Sequence, residues 1–146
     1  MTDTTPSTAP TFDTKIVVIL GDDLAAWQEL NVTAFLAAGI ATSAPGVVGE
    51  PYRDADGTEC LPMLRQPVIV LTGDAALLAR ARAKAAARDD VALAIYAREL
   101  FATMHDDANR ATVAEIAADD LDLVGLALRG PKNVIDRIAK GAVFHA

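Results

Sequence analysis

The sequence predicts a layered α/β domain, and two features lead to that prediction. Runs of β-branched and aliphatic residues recur along the chain, and segments rich in helix-forming residues separate them. Strands that alternate with helices in this way form a sheet covered by helices. With 146 residues, the chain has the length of one domain. We place this domain at residues 15–146 and predict a flexible tail at residues 1–14, which are rich in Thr, Ser and Pro.

The first half of the chain begins with the clearest strand and helix. Lys15–Leu20 is a continuous apolar run that ends at Gly21, which is typical of a strand covered on both faces. A helix should follow from Trp27 to Ser43, with its larger side chains in the core: Val32, Phe35, Leu36 and Ile40. The other elements expected in this half are a short edge strand at Leu61–Leu64, a second strand at Pro67–Leu71, and a helix capped by Asp74 that extends to about Arg88.

The second half should add two strands and a closing helix. Val91–Tyr96 is predicted to be the third strand, and the nearly apolar Leu121–Leu128 the fourth. Gly130–Pro131 should start the last helix, with Pro at its first position and Gly141 just past its end. The remaining elements are a helical turn at residues 98–104, a helix at about 107–118, and a short strand that residues 142–144 can add.

The charge balance argues against nucleic acid as a partner. The chain carries 13 Lys and Arg residues against 20 Asp and Glu residues, for a net charge of −7. Proteins that bind nucleic acid usually depend on clustered cations. The helix-spaced Arg80, Lys84 and Arg88 are interpreted as a solvated face rather than a phosphate-binding stripe.

The sequence also indicates no membrane partner and a cytoplasmic location. Residues 1–14 lack the cationic start and apolar run of a secretory signal. Leu30–Gly49 contains no ionisable residue, but its polar residues and glycines favour a core or subunit-interface helix over a membrane span. The single Cys60 cannot form an internal disulfide, which suits a reducing compartment, and we interpret it as an inert thiol.

Several short motifs resemble known families. The terminal unit LVGLALRGPKNVIDRIAKGAVFH is similar to the closing strand–helix–strand of archaeal and eukaryotic-type peptidyl-tRNA hydrolases, where Gly-Pro precedes a helix with an Ile-Asp-Lys-Ile-like run. Over residues 15–146 the chain resembles more closely a bacterial family known as a domain of unknown function, number two thousand. The motifs that carry this resemblance are Asp23-Leu24, Leu30-Asn31, Ala37-Ala38, Asp54-Ala-Asp56-Gly57 and Gly130-Pro131-Lys132.

The resemblance implies a fold but not the hydrolase activity. The implied fold is a three-layer α/β/α sandwich with a mixed four-stranded sheet, of the peptidyl-tRNA hydrolase II-like kind. Where the hydrolases are expected to have a Lys, a Gln and a His along the first helix, this chain has Leu30, Ala34 and Ala37 as packing groups. Where they have an Asp, a Gly and a Thr-Gln pair after the third strand, it has Tyr96, Arg98 and Leu100-Phe101. Apolar side chains cannot orient a water or transfer a proton, so we predict no catalytic residue.

Acidic residues and histidines suggest neither a metal site nor a catalytic centre. Asp22, Asp23, Asp54 and Asp56 could together hold a divalent cation, but capping and turn formation explain all four without one. His105 and His145 have no Ser or Cys partner at a readable spacing. We therefore predict no metal and no cofactor.

Six residues are the candidates for ligand binding: Asp23, Asn31, Thr33, Tyr96, Arg98 and Lys132. Asn31 and Thr33 lie in an apolar helix and, once buried, should bond either a loop carbonyl or a ligand. Tyr96 and Arg98 end the third strand, beside the crevice where α/β sheets bind ligands. Arg98 could bind an anion or pair with Glu99 or an Asp. Lys132 is either solvated or close to an anion at the start of the last helix.

The sequence favours a non-hydrolytic domain that binds a small polar ligand or a peptide, or that has a regulatory role. We expect it to form a homodimer. Two alternatives stay open at this point: a peptidyl-tRNA hydrolase with relocated catalytic residues, and a structural module that dimerises through the charge-free helix.

Overall fold

A mixed sheet of five strands forms the centre of the molecule. The computed structural model describes residues 11–146, and most of the predicted tail, residues 1–10, lies outside them. The strands of the main sheet are β1 (Thr14–Gly21), β4 (Val68–Gly73), β5 (Ala92–Ala97), β6 (Leu123–Pro131) and β7 (Val143–Phe144). A separate two-stranded ribbon consists of β2 (Tyr52–Arg53) and β3 (Glu59–Cys60).

The strand order in the main sheet is β5-β6-β1-β4-β7. β1 and β4 are parallel, whereas β6 pairs antiparallel with both β1 and β5, and β7 pairs antiparallel with β4. The predicted mixed sheet is therefore confirmed, but the predicted number of four strands is wrong. The fifth strand is β7, which pairs with β4 through Val143 and Phe144.

Helices cover both faces of this sheet. They are α1 (Ala26–Ala41), α2 (Ala75–Ala86), α3 (Asp106–Ala114) and α4 (Lys132–Ile138), with short 3₁₀ helices at Arg98–Ala102 and Ala118–Asp120. Alternate residues of β1 point to opposite faces. Val17 and Ile19 pack with the buried residues of α2 and α4, and Ile16, Val18 and Leu20 pack with those of α1. None of these five side chains is more than 2% exposed, so β1 is covered on both faces as its apolar run predicted.

The start of α2 is the cap that the sequence predicted. The Asp74 carboxylate accepts a hydrogen bond from the Leu77 amide at 2.8 Å. This bond satisfies one of the amides that the first turn of a helix leaves without a partner. The helix then packs its apolar side, Leu77, Leu78, Ala81 and Ala85, against the sheet, while Arg80, Lys84 and Arg88 are exposed as expected.

The predicted edge strand at Leu61–Leu64 is wrong. The strand instead ends at Cys60, and Leu64 makes only an isolated bridge with Val48. The physical reason is the preceding turn, in which the Asp54 carboxylate accepts from the amides of Asp56 and Thr58 at 3.0 and 2.9 Å. This turn folds the chain back early and pairs β2 with β3.

Two boundaries also differ from the prediction. Thr14, which we assigned to the tail, is the first residue of β1 and pairs with Pro131. Pro131 is therefore the last residue of β6 and the cap of α4, rather than the first residue inside that helix.

α1 buries three of the four side chains that were predicted to face the core. Its buried residues are Val32, Leu36 and Ile40, which are spaced by four and so lie along one side. Phe35 was predicted to be in the core but is 56% exposed, because it lies about 100° around the helix from Leu36. Leu30 and Ala34, predicted to be packing groups, are exposed as well, Leu30 by 74%. Within residues 11–146, no helix has the length and apolar character needed to cross a membrane.

Candidate functional site

Four of the predicted ligand-binding residues meet at the carboxyl ends of β1 and β5. Asp23 follows β1, Asn31 lies on α1, and Tyr96 and Arg98 come from the end of β5. The two strands run in the same direction because β6, between them, is antiparallel to both. Their carboxyl ends therefore open at the same edge of the sheet, as crevices for ligands do in α/β proteins.

The Arg98 guanidinium is held by two carboxylates. Its Nη2 donates to Asp23 Oδ2 at 2.9 Å, and its Nε donates to Asp122 Oδ2 at 3.0 Å. The Arg98 amide also donates to the Asp122 carbonyl at 2.8 Å. The predicted ion pair with an Asp is thus confirmed. Since two carboxylates surround one cation, this cluster has no excess positive charge to attract an anion.

Asn31 and Tyr96 form a polar pair beside this cluster. The Asn31 side-chain amide donates to the Tyr96 hydroxyl oxygen at 3.3 Å. Tyr96 is only 5% exposed. Burial raises the pKa of its phenol above the ordinary value of 10.0, although the bond from Asn31 acts in the opposite direction. The hydroxyl is therefore protonated at neutral pH and keeps its own proton for donation.

Three aromatic rings lie around this pair and, together with the Tyr96 ring, form a continuous chain of contacts. Phe35 meets Tyr96 edge to face, with ring centroids 6.0 Å apart, and Tyr96 meets Phe101 at 5.1 Å. Phe101 in turn meets Trp27 edge to face at 5.5 Å. The two end rings, Trp27 and Phe35, are 61% and 56% exposed. Such exposed rings offer apolar faces to a ligand, and aromatic side chains lose little conformational entropy when a ligand binds.

The rings line two adjoining hollows, which we call the aromatic cleft. The smaller has a volume of about 220 Å³ and lies around Trp27, Asn31 and Phe101. The larger, about 570 Å³, lies between α1, β5 and α3. The hollows share five lining residues: Phe35, Tyr96, Leu100, Asp106 and Asn109. Pockets of a few hundred Å³ with apolar walls and a few polar groups are typical small-molecule sites.

The polar groups at the outer rim of the cleft are bonded to one another. Asn109 accepts from the Thr103 hydroxyl, and Arg110 of α3 makes ion pairs with Asp106 and Asp107. His105 caps α3, since its Nδ1 accepts from the Ala108 amide at 3.2 Å. The rim is thus polar but internally paired, and the walls are aromatic.

The other two predicted ligand-binding residues lie elsewhere. The Thr33 hydroxyl donates to the Glu29 carbonyl of its own helix at 2.8 Å, so its partner is neither a loop carbonyl nor a group in the cleft. Lys132 lies at the opposite end of β1, because Pro131 before it pairs with Thr14. There it lines a separate hollow with Lys15 and Asp136.

Within residues 11–146, no three His, Cys, Asp or Glu side chains lie close enough together to share a metal ion. The Asp54 carboxylate bonds the amides of its own turn, as described above.

Comparison with known proteins identifies the family. The family described as "Protein of unknown function (DUF2000)" matches residues 14–146. The chain belongs to the DUF2000 family. A solved structure of a protein of unknown function from Agrobacterium tumefaciens is similar to this DUF2000 chain at 45% identity, with a TM-score of 0.88. The match covers 93% of this chain and all of the other. No curated protein matches the sequence.

The expectation of a DUF2000 member is therefore confirmed, while the resemblance to peptidyl-tRNA hydrolases stays a prediction. For this DUF2000 chain, sequence reasoning found Asn31 and Tyr96 of the cleft and missed its three other aromatic residues, Trp27, Phe35 and Phe101. The available signal was the spacing of Trp27, Asn31 and Phe35, each four residues apart and so on one side of α1. A single polar residue between two large aromatics on one helix side indicates a binding surface as readily as a core.

Proposed function

We propose that the domain binds a small uncharged molecule in the aromatic cleft, and that the molecule carries a planar apolar ring and one hydrogen-bonding group. The observation that supports this best is the chain of four rings that ends in exposed Trp27 and Phe35 and passes over the Asn31–Tyr96 pair. The rings would stack on the ligand ring, and the pair would orient its polar group.

The charges beside the cleft argue against an anionic ligand. Arg98 is neutralised by Asp23 and Asp122, and Arg110 by its two neighbouring acids. Binding an anion would require breaking one of these pairs and leaving carboxylates opposite the new negative charge. The proposal therefore narrows the sequence-based expectation of a small polar ligand to one recognised by stacking.

Tryptophan fluorescence provides a direct test, because Trp27 is the only tryptophan of the chain and lies in the cleft. We would titrate the full chain with a library of neutral ring-containing fragments and map the bound residues by amide NMR. We expect quenching together with shifts centred on Asn31, Phe35 and Tyr96. Replacing Phe35→Ala should weaken the best fragment about tenfold, since loss of one stacked ring is worth roughly 1–1.5 kcal/mol.

Leu30→Ala is the matched control. Leu30 lies on the same helix and is also exposed, but it lines a different hollow. The variant should bind the fragment like the wild type. The proposal is wrong if no ring-containing fragment shifts the cleft amides, or if Leu30→Ala weakens binding as much as Phe35→Ala.

Self-association is a second candidate role, and one observation favours it. The outer side of α1 exposes Leu30, Ala34 and Ala38, within the charge-free segment at residues 30–49. An exposed apolar stripe without charges is typical of a surface that contacts another protein. We propose that two copies associate through this stripe.

Sedimentation velocity tests the self-association. The wild type should sediment as a dimer, and Leu30→Glu as a monomer, because the new carboxylate would be buried without a partner. Glu115→Lys, an exposed substitution on another segment, should leave the dimer unchanged. A wild-type monomer at high concentration would exclude this role.

A further inference from the structure

The segment at residues 141–146 is attached to the outer edge of the sheet by few contacts. Its strand, β7, pairs only Val143 with Thr72 and Phe144 with Leu71, and the His145 amide donates to the Val70 carbonyl at 3.1 Å. Val143 and Phe144 are 63% and 80% exposed. A two-residue edge strand with little buried apolar surface belongs to the part of a fold that opens most easily.

The His145 side chain ties this segment to α1. Its Nε2 contacts Glu29 Oε2, and its Nδ1 lies 2.7 Å from the Ala146 carbonyl oxygen. Both neighbours are hydrogen-bond acceptors. A neutral imidazole carries one N–H and can donate to only one of them, whereas the imidazolium can donate to both. The arrangement therefore matches the protonated ring.

The Glu29–His145 pair closes one side of a hollow of about 540 Å³ on the α1 face of the sheet. The other lining residues carry no charge: Leu20, Leu30, Thr33, Ala34 and Val70. Among the side chains that line this hollow, whose walls come from α1, β1 and β4, Glu29 is the one ionisable group besides His145. The nearby cations Lys140 and Arg80 lie against the other face of the sheet. Lys140 lines a separate hollow with Val17 and Leu71, and Arg80 approaches Gly141.

We propose that residues 141–146 form a pH-dependent strap, which is fastened to α1 across this hollow when His145 is protonated and loosened when the ring is neutral. Fastening closes the side of the hollow, and loosening exposes the edge of β4 and the apolar residues beneath. The strap is independent of the aromatic cleft, which lies toward the β5 side of the sheet, so either proposal can fail without the other.

The pH range follows from the surroundings of the ring. The hydrogen bond with Glu29, and after it the Ala146 carbonyl, raise the pKa of His145 above its ordinary value of 6.5. A group whose pKa is raised by a native contact stabilises that contact fully below its unfolded pKa, and the contribution is lost as the pH rises through the folded pKa. The strap should therefore be fastened at pH 5.5 and loosened at pH 8.5.

Hydrogen exchange of the His145 amide, measured by NMR on the full chain, tests this directly. The exchange rate is divided by the intrinsic rate at each pH to give a protection factor. From pH 5.5 to pH 8.5 we expect that factor to fall about two- to fivefold, the range for an exposed ion pair. Glu29→Gln should give the same factor at both pH values and lower the His145 pKa, followed by the ring signals, toward its ordinary value.

Glu115→Gln is the matched control, since it removes an exposed carboxylate of the same type elsewhere on the surface. It should reproduce the wild-type fall in protection. The proposal is overturned if the wild-type protection factor is the same at both pH values, or if it falls equally in Glu29→Gln.

Discussion

Gly125 provides the sharpest test of how α1 is seated on the sheet. This residue lies in β6, between Leu20 of β1 and Tyr96 of β5. A methyl group at this position, as in Gly125→Ala, would lie 2.7 Å from Val32 Cγ1 and 3.4 Å from the Ile19 carbonyl oxygen. Carbon atoms pack at about 3.5–4.0 Å, so Val32 or its helix would have to move by roughly 1 Å.

Val32 cannot easily make that room. It is 0% exposed, and a valine in a helix has one strongly preferred side-chain rotamer. We therefore expect Gly125→Ala to lower the free energy of unfolding by about 1–3 kcal/mol, the usual cost of overpacking a core. Urea denaturation followed by circular dichroism measures this free energy.

Gly73→Ala is the matched control. Its new methyl would lie 2.8 Å from Leu77 Cδ2 and 3.3 Å from Leu77 Cδ1 and Cγ, so the one group that has to move is a leucine side chain, which has more rotamers than a helical valine. Its cost should be under about 1 kcal/mol, because Ala in a strand also has a smaller entropy loss on folding than Gly. Adding Val32→Ala to Gly125→Ala should recover part of the loss, so that the double variant is more stable than the sum of the single effects. A fully stable Gly125→Ala, or strictly additive effects, would refute the proposed contact between β6 and α1.

Two further predictions concern a helix cap and a buried hydroxyl. Asp74→Ala removes the 2.8 Å bond to the Leu77 amide and should lower the free energy of unfolding, measured in urea, by about 0.5–2 kcal/mol. Asp89→Ala, at an exposed position, should lower it little, and equal losses would contradict the cap. Burial raises the pKa of Tyr96. The contribution of Tyr96 to the free energy of unfolding should therefore be constant below its unfolded pKa of about 10 and should decrease as the pH rises above that value. Tyr96→Phe should show a smaller fall in Tm between pH 9 and pH 11, and an unchanged fall would contradict the assignment.

The strands at the centre of the sheet could be predicted because each is specified by its own residues. Ile16–Leu20 is apolar at every position, which indicates a strand or a helix that is buried on all sides. Because the run is too short for a buried helix, it predicts a strand. The cap at Asp74 is equally local, since the carboxylate bonds an amide three residues ahead. Such features depend little on the rest of the chain.

The features that were missed or left open depend on tertiary partners. β7 has two residues and becomes a strand only because the edge of β4 is available to it. The sequence indicated Val32, Leu36 and Ile40 correctly, but a helix with almost no polar side gives too weak a pattern to exclude a neighbouring apolar residue from the core. Phe35 was therefore assigned to the core although it lies in the cleft.

The candidate site was predicted in part for the same reasons. Tyr96 and Arg98 were found because they end a recognisable strand. The bond between Arg98 and Asp23 joins residues 75 positions apart, and only the strand order shows that they meet. Lys132 was grouped with them because the start of a helix attracts anions, but the direction of β6 places it at the far end of the sheet.

The position of β1 affects how the protein must be made. Among the strands of residues 11–146, β1 is synthesised first and lies at the centre of the sheet, whereas its neighbour β6 follows more than a hundred residues later. Until that segment is synthesised, one side of β1 has no partner, and its unpaired backbone N–H and C=O groups are open to other nascent chains. Completing the sheet requires contacts across more than a hundred residues, so we expect slow folding for a domain of this size and a dependence on chaperones while synthesis is under way.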